Sequence, residues 1–122
     1  MIFGLGVDIC ENYRIKSILE KYEDSFLSRI FIPEEIEYCM KKNNPVPHLA
    51  ARFALKEAFI KAIGFGTFAS YKEIGLVGSS GKKDPVVFGD MKEKINTLQI
   101  KNIHCSISHA DNYSTAMVVL EK

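Results

Sequence analysis

Ala51-Arg52-Phe53-Ala54-Leu55-Lys56-Glu57-Ala58-Phe59-Ile60-Lys61-Ala62-Ile63-Gly64 is the stretch on which the fold turns. It is dense in strong helix formers and free of proline. Pro47 can open a helix and Gly64 can close one, so a helix is predicted over 48–63. On a helical wheel Leu49, Phe53 and Ile60 form one apolar stripe. Glu57 and Lys61 lie along one border with Ala50 and Ala54, so small residues surround a polar pair. Arg52 and Phe59 lie along the other border. Lys56 falls near the stripe itself, where snorkelling is the available account.

Upstream, Asn43-Asn44-Pro45-Val46-Pro47 reads as a turn. Before it, Pro33 opens a helix with Glu34 and Glu35 in its first turn, where the dipole favours acids. A helix over 12–22 carries the stripe Ile15, Ile18, Leu19, Tyr22. Residues 2–9 read as a strand with Gly4 and Gly6 on one face, bare enough for a chain or ligand to approach closely. Downstream, short strands at 73–77 and 85–88 flank a glycine-rich turn. A helix over 90–98 follows, then strands at 103–108 and 114–120 joined by a hairpin turn. The order β-α-α-α-β-β-α-β-β predicts an α+β fold, with a mostly antiparallel sheet packed against helices. With 122 residues the chain fits one domain over 1–122.

The formal charge of +1 argues against a broad nucleic-acid surface. No apolar run is long enough to cross a bilayer, and the N-terminus has no basic secretory region. Cys10, Cys39 and Cys105 form no C-x-x-C pair and read as reduced thiols of a cytoplasmic protein.

Two carboxylates invite a chemical reading. Asp8 ends an otherwise apolar or glycine strand, and the plainer reading makes it a surface acid capping the next helix. Glu57 and Lys61 stand i, i+4 in the favourable order and, read plainly, form a surface ion pair. Taken together from separate elements, Asp8 and Glu57 suit magnesium, a hard cation that takes one or two carboxylates plus phosphate. The histidines and cysteines lack zinc spacing. Gly64-Phe65-Gly66-Thr67 reads first as a helix-ending turn, although its backbone N–H groups can also meet phosphate. His109 closes Ser106-Ile107-Ser108-His109. It is structural, or a cation for a phosphate, and no nucleophile elbow accompanies it.

Four pieces in order carry a resemblance that spans the chain. They are Gly4-Leu5-Gly6-Val7-Asp8-Ile9, Arg29-Ile30-Phe31 with Glu35, the central stretch from Ala51 through Gly66, and Ser106-Ile107-Ser108-His109. Their combination resembles the acyl carrier protein synthase family of 4′-phosphopantetheinyl transferases. The resemblance implies transfer of 4′-phosphopantetheine from coenzyme A to a serine of apo acyl carrier protein. The by-product is adenosine 3′,5′-bisphosphate, and the reaction serves fatty acid biosynthesis. It implies that Asp8 and Glu57 hold Mg2+, that Lys61 contacts the pyrophosphate, and that Arg52 and His109 bind the nucleotide end. Gly64 and Gly66 would let backbone approach the donor. For the serine proton, a water on the metal, Glu57 and Glu35 acting through a water all stand open. The family implies a homotrimer with sites between subunits. It also implies a docking face for an acidic carrier on the first helix, here Arg14, Ile18 and Lys21, with Phe26 extending it. Glu23 and Asp24 weaken the basic charge of that face. Lys41, Lys42 and the 43–47 turn are candidates to complete the adenine pocket. The competing readings are a transferase for a different carrier and a non-catalytic nucleotide-binding subunit.

Overall fold

The computed structural model describes residues 1–64, 70–79 and 81–122, the side chain of residue 79 excepted. The elements are strand β1 (Ile2–Glu11), helices α1 (Asn12–Tyr22), α2 (Asp24–Ile30), α3 (Pro33–Met40) and α4 (Pro45–Ile63), a 3₁₀ turn (Tyr71–Glu73), strands β2 (Ile74–Ser79) and β3 (Lys82–Val87), helix α5 (Gly89–Thr97), and strands β4 (Asn102–His109) and β5 (Tyr113–Glu121). The α+β class and antiparallel pairing follow the expectation. The strands divide into two sheets, β1-β5-β4 and the hairpin β2-β3.

Two differences have physical reasons. Helix α2 is one more than the sequence order suggested. At seven residues it is too short to show two turns of apolar periodicity, and it follows Glu23 in a left-handed-region backbone (φ 46°). Helix α4 begins at Pro45 rather than at 48, with Pro45 in the first turn where a missing N–H costs nothing.

α4 is the axis of the molecule. Twelve of its 19 residues are buried, among them Arg52 and Lys56, so it is enclosed on nearly every side rather than half-solvated. β1 and β5 cover one side, and α1, α3 and β2 contribute to the rest. The bare face of β1 explains how closely α4 lies. A Cβ on Gly4 would collide with the carbonyl oxygen of Ala62, and one on Gly6 with that of Ala58. The glycine face thus receives the chain's own helix, backbone to backbone. That contact decides the site, because Glu57 and Lys61 are the neighbours of Ala58 and Ala62.

Lys56 did not follow the snorkelling expectation. Its ammonium is fully buried and pairs with Glu35 Oε1 at 2.7 Å. It also donates to the carbonyls of Tyr71 (3.3 Å) and Ile74. Glu35 Oε1 caps α3 by accepting from the Ile32 N–H (3.0 Å), and Oε2 accepts from the Leu76 N–H (3.1 Å). One buried pair thereby ties α3, α4, the 3₁₀ turn and β2 together. Burial pulls the Lys56 pKa below its ordinary value, and the Glu35 charge opposes that pull.

Candidate functional site

Asp8 comes off β1 opposite Ala116 of β5, and the Thr115 hydroxyl donates to the Asp8 carbonyl at 2.8 Å. The β1–β5 ladder therefore fixes its backbone. Lys61 reaches across from the last turn of α4, donating to the Val7 carbonyl at 3.0 Å and approaching Asp8 Oδ1 at 3.4 Å. The plain Glu57–Lys61 surface pair gives way to this cross-element contact. Glu57 instead accepts a 2.7 Å hydrogen bond on Oε1 from the Tyr71 hydroxyl. Burial comes first in pushing the Tyr71 phenol up to about 12, followed by the Glu57 bond and charge and then the Asp8 charge. Asp8 and Glu57 also both act on the Cys10 thiol, which burial chiefly pushes up and Arg14 opposes. Two carboxylates thus bear on one phenol and one thiol, beside one ammonium.

The donor set fits a hard cation. It is carboxylate and phenol oxygen. No cluster of three or more His, Cys, Asp or Glu side chains occurs among the described residues. Magnesium needs no such cluster when phosphate and water complete its shell.

Arg52 and His109 lie elsewhere. Arg52 is about nine residues and half a turn of phase from Lys61 on α4, at 100° per residue. Its guanidinium stacks 4.5 Å over the Tyr38 ring and donates to the His48 carbonyl at 3.1 Å, and its buried Nε has no partner among the described residues. Lys42 (4.5 Å) and Lys83 (5.8 Å) face the same ring. His48 packs edge-on against Tyr38 (6.1 Å) and His109 (4.7 Å). His48 is lowered to about 4, by burial first and then by His109, Arg52, Lys42 and Lys83. Burial works against it, yet Lys83 and Lys42 hold the Tyr38 phenol below its ordinary value. Cationic side chains from α4, β3 and the turn after α3 converge here, with His109 at the end of β4, the arrangement an anion would neutralise. Of the two adjacent lysines in the sequence, Lys42 joins the cluster, while Lys41 pairs with Glu37 at 3.1 Å.

On the third face, Ile18, Tyr22, Phe26, Arg29, Ile30 and Tyr71 line a groove of about 550 Å³. Ile18 belongs to the expected docking face with exposed Arg14 and Lys21. Phe26 is a core residue, 8% exposed and edge-on to Phe31 at 5.7 Å, and shows only its rim to the groove. The groove runs to Tyr71, the partner of Glu57.

Glu35 has both carboxylate oxygens engaged and is sealed from solvent, which removes it from the proton acceptors considered from the sequence. Gly64 ends α4 at φ 109°, and Gly66 lies outside the described residues. Sequence reasoning missed Tyr71, Tyr38, His48 and Lys83. Each gains meaning only through a partner distant in sequence, although the central helix gave a place to look for them.

A sequence model of the 4′-phosphopantetheinyl transferase superfamily matches residues 4–118. The chain is a transferase enzyme, and it belongs to that superfamily. A Leptospira biflexa relative named holo-[acyl-carrier-protein] synthase is 46% identical over 124 residues, covering 99% of this chain and 98% of that one. The crystal structure of the Neisseria meningitidis holo-[acyl-carrier-protein] synthase matches with TM-score 0.90 at 34% identity, covering 100% of both chains. That of the Helicobacter pylori synthase, a complex with coenzyme A, matches with TM-score 0.81 at 32% identity, covering 96% of this chain and 99% of that one. The resemblance read from the four motifs is borne out.

Proposed function

We propose that this enzyme transfers 4′-phosphopantetheine from coenzyme A to a serine of apo acyl carrier protein, with magnesium held by Asp8 and Glu57. The observation that carries the reading is that Asp8 meets Lys61 across β1 and α4, while Asp8 and Glu57 both bear on the Tyr71 phenol, which lines the groove under α1. The serine hydroxyl gives up its proton to Glu57 or to a water, and its oxygen forms a bond to the phosphorus that bears the pantetheine arm. The bond from that phosphorus to the oxygen bridging the diphosphate breaks, and adenosine 3′,5′-bisphosphate leaves with the electron pair. When bound, magnesium supplies positive charge against the diphosphate oxygens. Lys61, 42% exposed at its side chain and held by the Val7 carbonyl at 3.0 Å and by Asp8 at 3.4 Å, can turn its ammonium to the departing phosphate.

Arg52 and His109, with His48, Lys42 and Lys83, are assigned the nucleotide end. The reading of a homotrimer with the donor between subunits is supported by geometry. Arg52 and Lys61 face opposite ways from a helix buried between them, so one donor reaching both clusters spans two copies. The outer face of the β1-β5-β4 sheet offers the contact: Leu5 (59% exposed), Val7 and Ile9 stand open beside Tyr113 and Met117. Service to the fatty acid carrier is supported by the match over 98% of a relative named holo-[acyl-carrier-protein] synthase, and a cytoplasmic setting by three free cysteines. No helix among the described residues is long and apolar enough to cross a membrane.

The deciding experiment incubates the enzyme with apo acyl carrier protein, coenzyme A and magnesium and follows carrier mass. The expected result is a gain of one phosphopantetheine that requires all three. No gain on the fatty acid carrier, with gain on a carrier domain from polyketide or peptide synthesis, would reassign the substrate. No gain on any carrier, with coenzyme A still bound, would favour a non-catalytic binding subunit.

A further inference from the structure

The Asp8–Glu57–Lys61 constellation leaves one strong contact without a role. Tyr71 donates to Glu57 Oε1 at 2.7 Å, and nothing in the local pattern of the sequence singles Tyr71 out. We propose that Tyr71 is a positioning residue for the metal. Its hydroxyl occupies one oxygen of Glu57 and so presents that carboxylate to the cation through the other oxygen alone. This rests on the reading of Asp8 and Glu57 as the magnesium pair.

Tyr71 is built into place from several directions. Its ring packs against Phe53 with centroids 5.5 Å apart, and Phe53 precedes Glu57 by four residues on the same helix. Its carbonyl accepts from the buried Lys56 ammonium at 3.3 Å. The Ser70 hydroxyl caps the 3₁₀ turn by accepting from the Lys72 N–H at 3.2 Å. α4 therefore grips the turn through Lys56, and the turn grips α4 back through Glu57, the next residue along. A side chain anchored at ring, carbonyl and turn holds its hydroxyl in a fixed place.

That fixity has a chemical consequence. A carboxylate free to rotate can offer one oxygen or two. Calcium accepts both modes in a loose shell of six to eight oxygens, whereas magnesium demands near-octahedral geometry. A phenol bonded to one oxygen disfavours the two-oxygen mode, and so favours the smaller ion. Outer partners that orient ligands in this way typically account for about 10–100-fold in metal affinity.

The test is Tyr71→Phe, which keeps the ring on Phe53 and removes only the hydroxyl. Binding of Mn2+ in the presence of coenzyme A is read by electron paramagnetic resonance, with Mg2+ and Ca2+ as competitors, on wild type, Tyr71→Phe and Glu57→Gln. The expected result for Tyr71→Phe is Mn2+ affinity weaker by about 10–100-fold, with a reduced preference for Mg2+ over Ca2+. KM for coenzyme A at saturating metal should stay at the wild-type value. Preference between ions does not depend on the fraction of enzyme folded, so a merely structural role would leave it unmoved. Wild-type Mn2+ affinity in Tyr71→Phe overturns the proposal, as does weaker affinity with an unchanged Mg2+ to Ca2+ preference. If Glu57→Gln loses Mn2+ in that case, the metal pair stands and only the role of Tyr71 falls. If Glu57→Gln also binds like wild type, the metal pair falls with it.

Discussion

Lys56 and Lys61 stand five residues apart on one helix, and each faces a carboxylate from another element. Lys56 meets Glu35 at 2.7 Å with neither side chain exposed at all; Lys61 meets Asp8 at 3.4 Å with side chains 42% and 20% exposed. The chemistry is the same and water makes the difference. The sealed pair has lost its hydration and must keep its partners, because an unpaired charge there is very costly. The open pair is screened and worth at most about 1 kcal/mol, so a phosphate or a cation can displace it readily. A buried pair holds structure, and an exposed pair is available for chemistry.

The widest break in this comparison is in activity. Asp8→Ala and Glu57→Ala should each lower transfer by at least about 10²–10³-fold, the usual loss when a group stabilising transition-state charge is removed. Thermal unfolding of Asp8→Ala should stay near wild type, since its contact is solvent-screened, and Glu57→Ala should melt slightly lower because it also loses the Tyr71 bond. Initial rates of carrier modification and a melting curve measure both. Wild-type turnover by either variant at limiting magnesium would remove it from the site.

The sealed pair should respond in the opposite way. Lys56→Ala leaves the Glu35 carboxylate in the core without its cation, a loss of about 3–5 kcal/mol of stability. Urea unfolding reads it directly. Pairing it with Glu35→Leu should recover only part of the loss, because Glu35 also accepts from the Ile32 and Leu76 N–H groups. Full recovery would mean that those backbone bonds contribute little.

The sequence made the open pair legible and hid the sealed one. Asp8 and Glu57 stood out as acids beside glycine and alanine, and the motifs around them are specific. The α+β order was legible too, since periodicity marks α1 and the closing hairpin, and a run of helix formers between Pro47 and Gly64 marks α4. Lys56 could not be read because its place depends on how many layers enclose α4, which one helix's pattern does not encode. For the same reason Arg52 read as a border residue, yet the structure buries it under Tyr38. Tyr71 follows the glycine-rich stretch after α4, and only the folded chain shows that its hydroxyl reaches Glu57. Gly4 and Gly6 were noticed as a bare face, but which neighbour fills it is a tertiary fact.

An open site must also be reached, and the approach can be tested more gently. Arg14, exposed on α1 near the groove, should steer an acidic carrier, while Glu20, Glu23 and Asp24 close by limit the attraction. Arg14→Glu is expected to lower the association rate several-fold at low salt. The difference should fade near 0.15 M, where screening acts over about 8 Å. Stopped-flow association at both salts decides it. An unchanged rate at low salt would dismiss this face as the approach.

His48 lies between the sealed and open extremes, and its effect should be the smallest. Half-buried, it is lowered from 6.5 to about 4 by burial, with His109 of β4, Arg52 of its own helix, Lys42 after α3 and Lys83 of β3 adding to the shift. In the unfolded chain its pKa returns to the ordinary value. Between about pH 6.5 and pH 4 the unfolded state therefore binds a proton that the folded state refuses, and stability falls as pH falls through that window. His48→Gln should make the decline shallower there and leave stability above pH 7 nearly unchanged. Adenosine 3′,5′-bisphosphate should flatten the wild-type decline as well, because an anion among these cations favours the protonated imidazole. Urea midpoints measured across the window separate the contributions. If the variant declines as steeply as wild type, the imidazole is not the group responsible. If the nucleotide flattens nothing, the cationic cluster is not where its phosphates rest.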